Sequence, residues 1–213
     1  KIHKLHEMGC ENLVILPLYP QYAAATTATV CDEVYRTLMK MRWQPSLQII
    51  PHYESEPLYI QAIVNSINHK LNSINWKPDL ILASYHGIPK TYFDKGDPYH
   101  CYCHKTSRLI KETFNKDIPI LTTFQSRFGP QEWLQPYTDK TLENLPKEGK
   151  KNILVISPGF SSDCVETLEE ISIQGKESFL ESGGEKFDTI PCLNDNEDHI
   201  KLLVHLINKS IRK

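Results

Sequence analysis

Short apolar runs alternate along the chain with longer stretches of helical period. Strands are predicted at Asn12 to Tyr19, Ser46 to Tyr53, Asp79 to His86, Pro119 to Ser126, Asn152 to Phe160 and Phe187 to Leu193. Several of these runs are continuously hydrophobic rather than alternating, which marks strands covered on both faces, as in a parallel sheet. Helical patterns fill the intervals: Ala24 to Met41, Pro57 to Ser73, Tyr99 to Phe114, Asp163 to Glu181 and Glu197 to Lys209. The rhythm βαβα predicts an α/β fold. The first ten residues, KIHKLHEMGC, read as the end of an amphipathic helix closing on Gly9. A chain that opens in mid-helix is expected to have more sequence upstream.

In open parallel sheets, ligands bind beyond the carboxyl ends of the strands. The residues at those ends are therefore the candidates. The first strand is followed by Tyr19-Pro-Gln-Tyr22 and the second ends near His52. The third delivers His86 and Gly87, and the fourth Gln125, Ser126 and Arg127. The fifth leads into FSSDCVETLEE from Phe160 to Glu170.

Composition narrows the chemistry. The chain has 213 residues, 40% of them hydrophobic, so it can bury a real core. Its net charge is −2 and no basic stripe is present, which argues against nucleic acid. No apolar run reaches the length of a membrane span. Six scattered cysteines in a chain of this length fit a reducing cytosol. No glycine-rich phosphate loop follows a strand, and there is no G-x-S-x-G elbow.

Three features could carry chemistry. His86 stands at a strand end before Gly87 and Pro89, where an imidazole can take protons at neutral pH or bind a metal; a structural hydrogen bond is the plain alternative. Asp163 and Glu166 fit a capping box, with Asp163 as N-cap. Glu166, Glu170 and Gln174 also recur at four-residue steps as one polar file, while Glu169 points elsewhere; a solvated helix face would have the same pattern. The stretch HCYCH, His100 to His104, has metal-binding residue types. Its spacing is C-x-C rather than the C-x₂-C of zinc knuckles, and a helix start sends neighbours in different directions, so a structural role is favoured. Tyr19, Tyr22 and Trp133 suit packing. Arg127 suits solvent or, in a cleft, a ligand carboxylate.

Together these motifs resemble the ferrochelatase family, bacterial type. LPLYPQY (Leu16 to Tyr22) with Thr26 and Thr27, SYHGIP (Ser84 to Pro89), GDPY (Gly96 to Tyr99), FQSRFGPQEWLQPYTD (Phe124 to Asp139) and PGFSSDCVETLEEI (Pro158 to Ile171) match five family segments in order. The resemblance implies two Rossmann-like parallel-sheet domains of the chelatase type. The first would be incomplete here, formed by residues 1–50 with a C-terminal helix at 190–213. Residues 51–189 would form the second.

It also implies insertion of ferrous iron into protoporphyrin IX to give protohaem. His86 and Glu166 would be catalytic. His86, Glu166 and Glu170 would meet the metal, and Tyr19, Gln125, Ser126, Arg127 and Trp133 the porphyrin. Fe²⁺ is then a substrate and no cofactor is required. An iron–sulfur cluster is not expected, because Ala23 to Ala25 follow Tyr22 and no cysteine follows Cys192. Gln174 stands where some members place a glutamate. The expected location is the cytoplasm, with peripheral contact at the inner membrane. Two other readings are a chelatase for another metal or tetrapyrrole, and a porphyrin- or haem-binding fragment without turnover. A nucleotide-binding α/β protein is more distant.

Overall fold

The computed structural model describes residues 1–211. Among them six strands form two parallel sheets. In the smaller, β1 (Asn12–Ile15) pairs with β2 (Ser46–Ile49), Leu13 lying opposite Leu47. The larger contains β3 (Leu80–His86), β4 (Ile120–Gln125), β5 (Asn152–Ile156) and β6 (Lys186–Ile190), in the order β4-β3-β5-β6. All of its pairs are parallel. The α/β class read from the sequence is therefore present, and the two sheets fall on either side of position 50.

The continuous apolar runs have the expected cause. On β3, Ile81, Ala83 and Tyr85 enter one core while Leu80 and Leu82 enter a second on the opposite face. On β5, Leu154 and Ile156 join the first core and Ile153 and Val155 the second. The first core lies under α3 (Pro57–Ser73), α5 (Tyr99–Phe114) and α8 (Glu197–Ile211). It runs without a break from Ala23 and Ile50 into the larger sheet. The second lies under α6 (Thr138–Asn144), α7 (Lys176–Glu181) and the segment before α7.

The bounds of α3 and α5 coincide with the sequence reading. Pro57 occupies the first position of α3, where its missing N–H costs nothing. At the other end of α5, Asn115 takes the left-handed conformation, φ 46°. The short helices α1 (Ile2–Glu7), α4 (Lys90–Asp94) and α6 complete the set with a 3₁₀ turn at Leu145–Glu148. The sequence reading had only the first of these. The expected terminal helix begins later than 190, because β6 occupies Lys186–Ile190. Its last two positions, Arg212 and Lys213, lie outside the described residues.

Two of the expected helices differ in kind. The run from Ala24 starts as a π-helical turn, Ala24–Ala28, before α2 (Thr29–Leu38). The run from Asp163 is π-helical over Glu166–Gly175 before α7. Hydroxyls enter both ladders. Thr29 Oγ1 donates to the Thr26 carbonyl at 2.7 Å, and Ser172 Oγ to the Thr167 carbonyl, five residues back, at 2.9 Å.

The Asp163–Glu166 capping box does not form. The Cys164 N–H donates instead to Thr167 Oγ1 at 3.0 Å. The Asp163 carboxylate accepts from Asn194 Nδ2 (2.7 Å), Cys192 N–H (3.2 Å) and Thr167 Oγ1 (3.2 Å), tying the helix start to the end of β6. Burial works against the charged form of Asp163, but these donors prevail and hold its pKa below the usual value.

Candidate functional site

The carboxyl ends of β1, β3 and β5 converge on a cleft of about 1100 Å³. One wall follows β1 and carries Leu16, Leu18, Tyr19 and Val30. The facing wall carries His86 to Pro89 after β3, and Phe160, Cys164 and Glu166 after β5. Phe128 and Trp133 close one end, their rings 4.9 Å apart.

His86 reaches this wall because β3 stays in register with β4 to its last residue, His86 lying opposite Gln125. The next N–H, Gly87, donates to the Gln125 carbonyl at 2.8 Å. A Cβ at position 87 would stand 2.9 Å from that carbonyl oxygen and 3.1 Å from the Trp133 ring, so only glycine fits the backbone there. The His86 Nδ1–H donates to the Gly87 carbonyl at 2.7 Å. That bond fixes the tautomer and leaves Nε2 as the basic nitrogen. Glu166 begins the π-helical segment on the same wall. The Cys164 thiol, its own N–H and then the charge of His86 hold its carboxyl below the usual range, so it is ionised at neutral pH. Burial, and then the neighbouring Glu166, push the Cys164 thiol up.

The two walls are stitched together beneath the cleft. The buried Gln21 side chain donates from Nε2 to Thr106 Oγ1 (3.0 Å) and Tyr59 OH (3.4 Å). Tyr59 OH donates in turn to the Pro158 carbonyl at 2.5 Å. Nearer the mouth, Ser161 Oγ donates to the Leu18 carbonyl at 2.7 Å.

Of the residues singled out in the sequence, Tyr19, His86, Trp133 and Glu166 line the cleft. Gln125, Ser126, Arg127 and Glu170 line instead an adjoining cavity of about 500 Å³ that shares Trp133 and Phe128. There they brace the π-helical segment. The Ser126 N–H, at φ 63°, donates to Glu170 Oε1 at 2.6 Å, and Ser126 Oγ donates to the other oxygen. Gln125 Nε2 donates to the Glu166 carbonyl at 2.9 Å, while its Oε1 accepts from Ser84 Oγ at 2.8 Å. Arg127 pairs with Asp139 at 2.8 Å and lies over the Tyr137 ring.

The expected polar file is split. Glu170 turns inward to Ser126, and Gln174 Nε2 donates outward to Glu169 at 3.3 Å, five residues back, as an i→i+5 ladder favours.

The HCYCH stretch opens α5 and its cysteines separate, Cys103 into the core and Cys101 to solvent. Among the described residues, no group of three or more His, Cys, Asp and Glu converges on one point. No helix among them is long and apolar enough to cross a membrane. Cys164 had no site role in the sequence reading. Its place two residues before Glu166, after a strand end, was the available signal.

The ferrochelatase family model matches residues 1–211. The ferrochelatase of Allorhizobium ampelinum is 55% identical over 213 residues, covering all of this chain and 62% of that protein. The ferrochelatase of Rhizobium meliloti is 56% identical over 212 residues, 99% of this chain and 62% of its own. The chain thus spans about 62% of the length of these curated relatives. Among solved structures, SirB from Bacillus subtilis with Fe³⁺ superposes with a TM-score of 0.69 at 11% identity, covering 98% of this chain and 75% of that one. At that identity the likeness is one of fold.

Proposed function

The chain belongs to the ferrochelatase family, and from that premise we propose that it inserts ferrous iron into protoporphyrin IX, forming protohaem and releasing two protons. The observation that carries this reading is the pairing of His86 and Glu166 on one wall of a cleft whose other wall is largely apolar. A flat hydrophobic macrocycle needs two walls to leave water, and the cleft is at the large end of small-molecule sites. As Fe²⁺ binds the four ring nitrogens, two pyrrole N–H protons must depart. His86 Nε2, left basic by the Nδ1–H bond to Gly87, suits the first acceptor. The ionised Glu166 suits either the approaching cation or the second proton. Glu170, expected to meet the metal, is held by Ser126 and Gln125 and would support Glu166 from behind.

The division into residues 1–50 with the terminal helix, and 51–189, belongs to the same proposal and is supported by the separation of the two sheets. Fe²⁺ is a substrate here, and no further cofactor is needed. Peripheral contact with a membrane is supported by the exposure of Leu18 and Phe128 at the cleft mouth, and the cytoplasmic location belongs to the same proposal.

The test is anaerobic addition of Fe²⁺ to the protein with bound protoporphyrin, followed by visible absorption. Collapse of the free-base bands into those of the metallated ring is expected. Binding with the free-base bands unchanged overturns the reading.

A further inference from the structure

The helix α5 carries a second pair of imidazoles that the cleft does not use. His100 and His104 are four residues apart on the first turns of a regular α-helix, so their side chains rise one above the other. Their ring centroids are 4.4 Å apart at an interplanar angle of 55°. Phe124 stacks on His100 at 5.7 Å and 22°, and Phe93 meets the same ring edge-on at 5.1 Å, so the ring is held between two aromatics. Neither imidazole makes a hydrogen bond to another described residue, and neither lines the cleft or the adjoining cavity. His104 reaches the surface.

We propose that His100 and His104 form a two-imidazole chelate for a borderline divalent cation of the Zn²⁺ type, separate from the cleft. Zinc binds imidazole nitrogen at about 2.0–2.1 Å; two such bonds at tetrahedral to right angles place the ring centroids about 4.5–5.2 Å apart. The observed separation falls within a small side-chain rotation of that range. Two histidines at this helical spacing are a recurrent zinc-binding element because both nitrogens reach one point from one face. Water fills the remaining positions, since no third protein ligand converges among the described residues. Imidazole favours Zn²⁺, Ni²⁺ and Cu²⁺ over harder ions. The aromatic clamp on His100 reduces the rotamer freedom that a metal would otherwise have to freeze.

The experiment is a Zn²⁺ titration of the 213-residue chain carrying His86→Ala, which removes the imidazole of the cleft. It is followed by the ring ¹H–¹⁵N signals of the remaining histidines. The signals of His100 and His104 are expected to shift together with a single dissociation constant. His100→Ala and His104→Ala are each expected to weaken that binding by about tenfold or more, because either change turns a chelate into a single contact. Melting curves without metal verify that both variants remain folded; alanine suits a helix, and His104 lies at the surface. Response of one ring only, or unchanged affinity in either single variant, overturns the proposal.

Discussion

The wall of the cleft that follows β1 carries Leu16, Leu18, Tyr19 and Val30, whereas the wall that follows β3 and β5 carries His86, Cys164 and Glu166. The first comes from a two-stranded sheet with half-exposed side chains. The second comes from a four-stranded sheet whose central strands are buried on both faces. On the proposed function, groups that must be held to within fractions of an ångström sit on the rigid element, and groups that only need to exclude water sit on the slighter one. Binding and chemistry are then separable by mutation.

The strongest way to break that separation is His86→Ala. The rate of Fe²⁺ or Zn²⁺ insertion is expected to fall by about 10²–10⁴, with porphyrin affinity held within a few-fold. A variant that turns over at the parent rate per folded molecule would make His86 structural. Glu166→Gln is expected to cost about 10² in rate. Because Glu166 stays ionised below the usual carboxylate range, its own titration is not the acid limb of a pH–rate profile. An unchanged rate per folded molecule in the variant would remove the carboxylate from the reading.

The backbone of the wall that carries His86 and Glu166 is probed by Gly87→Ala. Its Cβ would press on the Gln125 carbonyl and the Trp133 ring, at a cost of about 1–3 kcal/mol. Thermal unfolding should show a loss of roughly 2–4 °C per kcal/mol. An unchanged melting temperature would mean that the β3–β4 rim is looser than its hydrogen bonds indicate.

Asp163→Asn tests the knot that anchors the same wall. A depressed folded pKa contributes stability that is fully present above the unfolded value, about 3.9, and is lost as pH falls through the folded value. The variant should be less stable than the parent at pH 7, and the gap should close in acid. A gap that persists unchanged in urea titrations at both pH values counts against it. The smallest effect is expected on the apolar wall. Tyr19→Ala should weaken porphyrin binding a few-fold, leave the catalytic constant intact and change stability by no more than about 0.5 kcal/mol. Fluorescence quenching of the porphyrin reads the affinity.

What the sequence made legible follows the same division. Parallel strands announce themselves because both faces need apolar side chains, and α3 and α5 are bounded by local signals, Pro57 and the turn at Asn115. Strand ends were overestimated where Leu16 to Tyr19, Gly159 and Phe160 line the cleft rather than extend the ladder. The π-helical turns were not legible, since they depend on where the Ser172 and Thr29 hydroxyls bond. Glu170 and Arg127 were placed on this rim, but their protein neighbours were not legible. Their partners, Ser126 and Asp139, are chosen by side-chain geometry that periodicity does not encode.

The Gln21 amide beneath the cleft has a consequence for sequence variation. It is buried and spends its donors on Tyr59 and Thr106, and Tyr59 spends its own on Pro158. Replacing one member strands the others without partners, at about 1–3 kcal/mol for each orphaned group. Replacing all of them with apolar side chains of the same shape leaves no orphaned side chain, only the Pro158 and Glu54 carbonyls that Tyr59 and Thr106 had served. Positions 21, 59 and 106 should therefore be exchanged as a set: in related proteins a change at one would be accompanied by changes at the other two, although they lie 38 and 85 residues from Gln21.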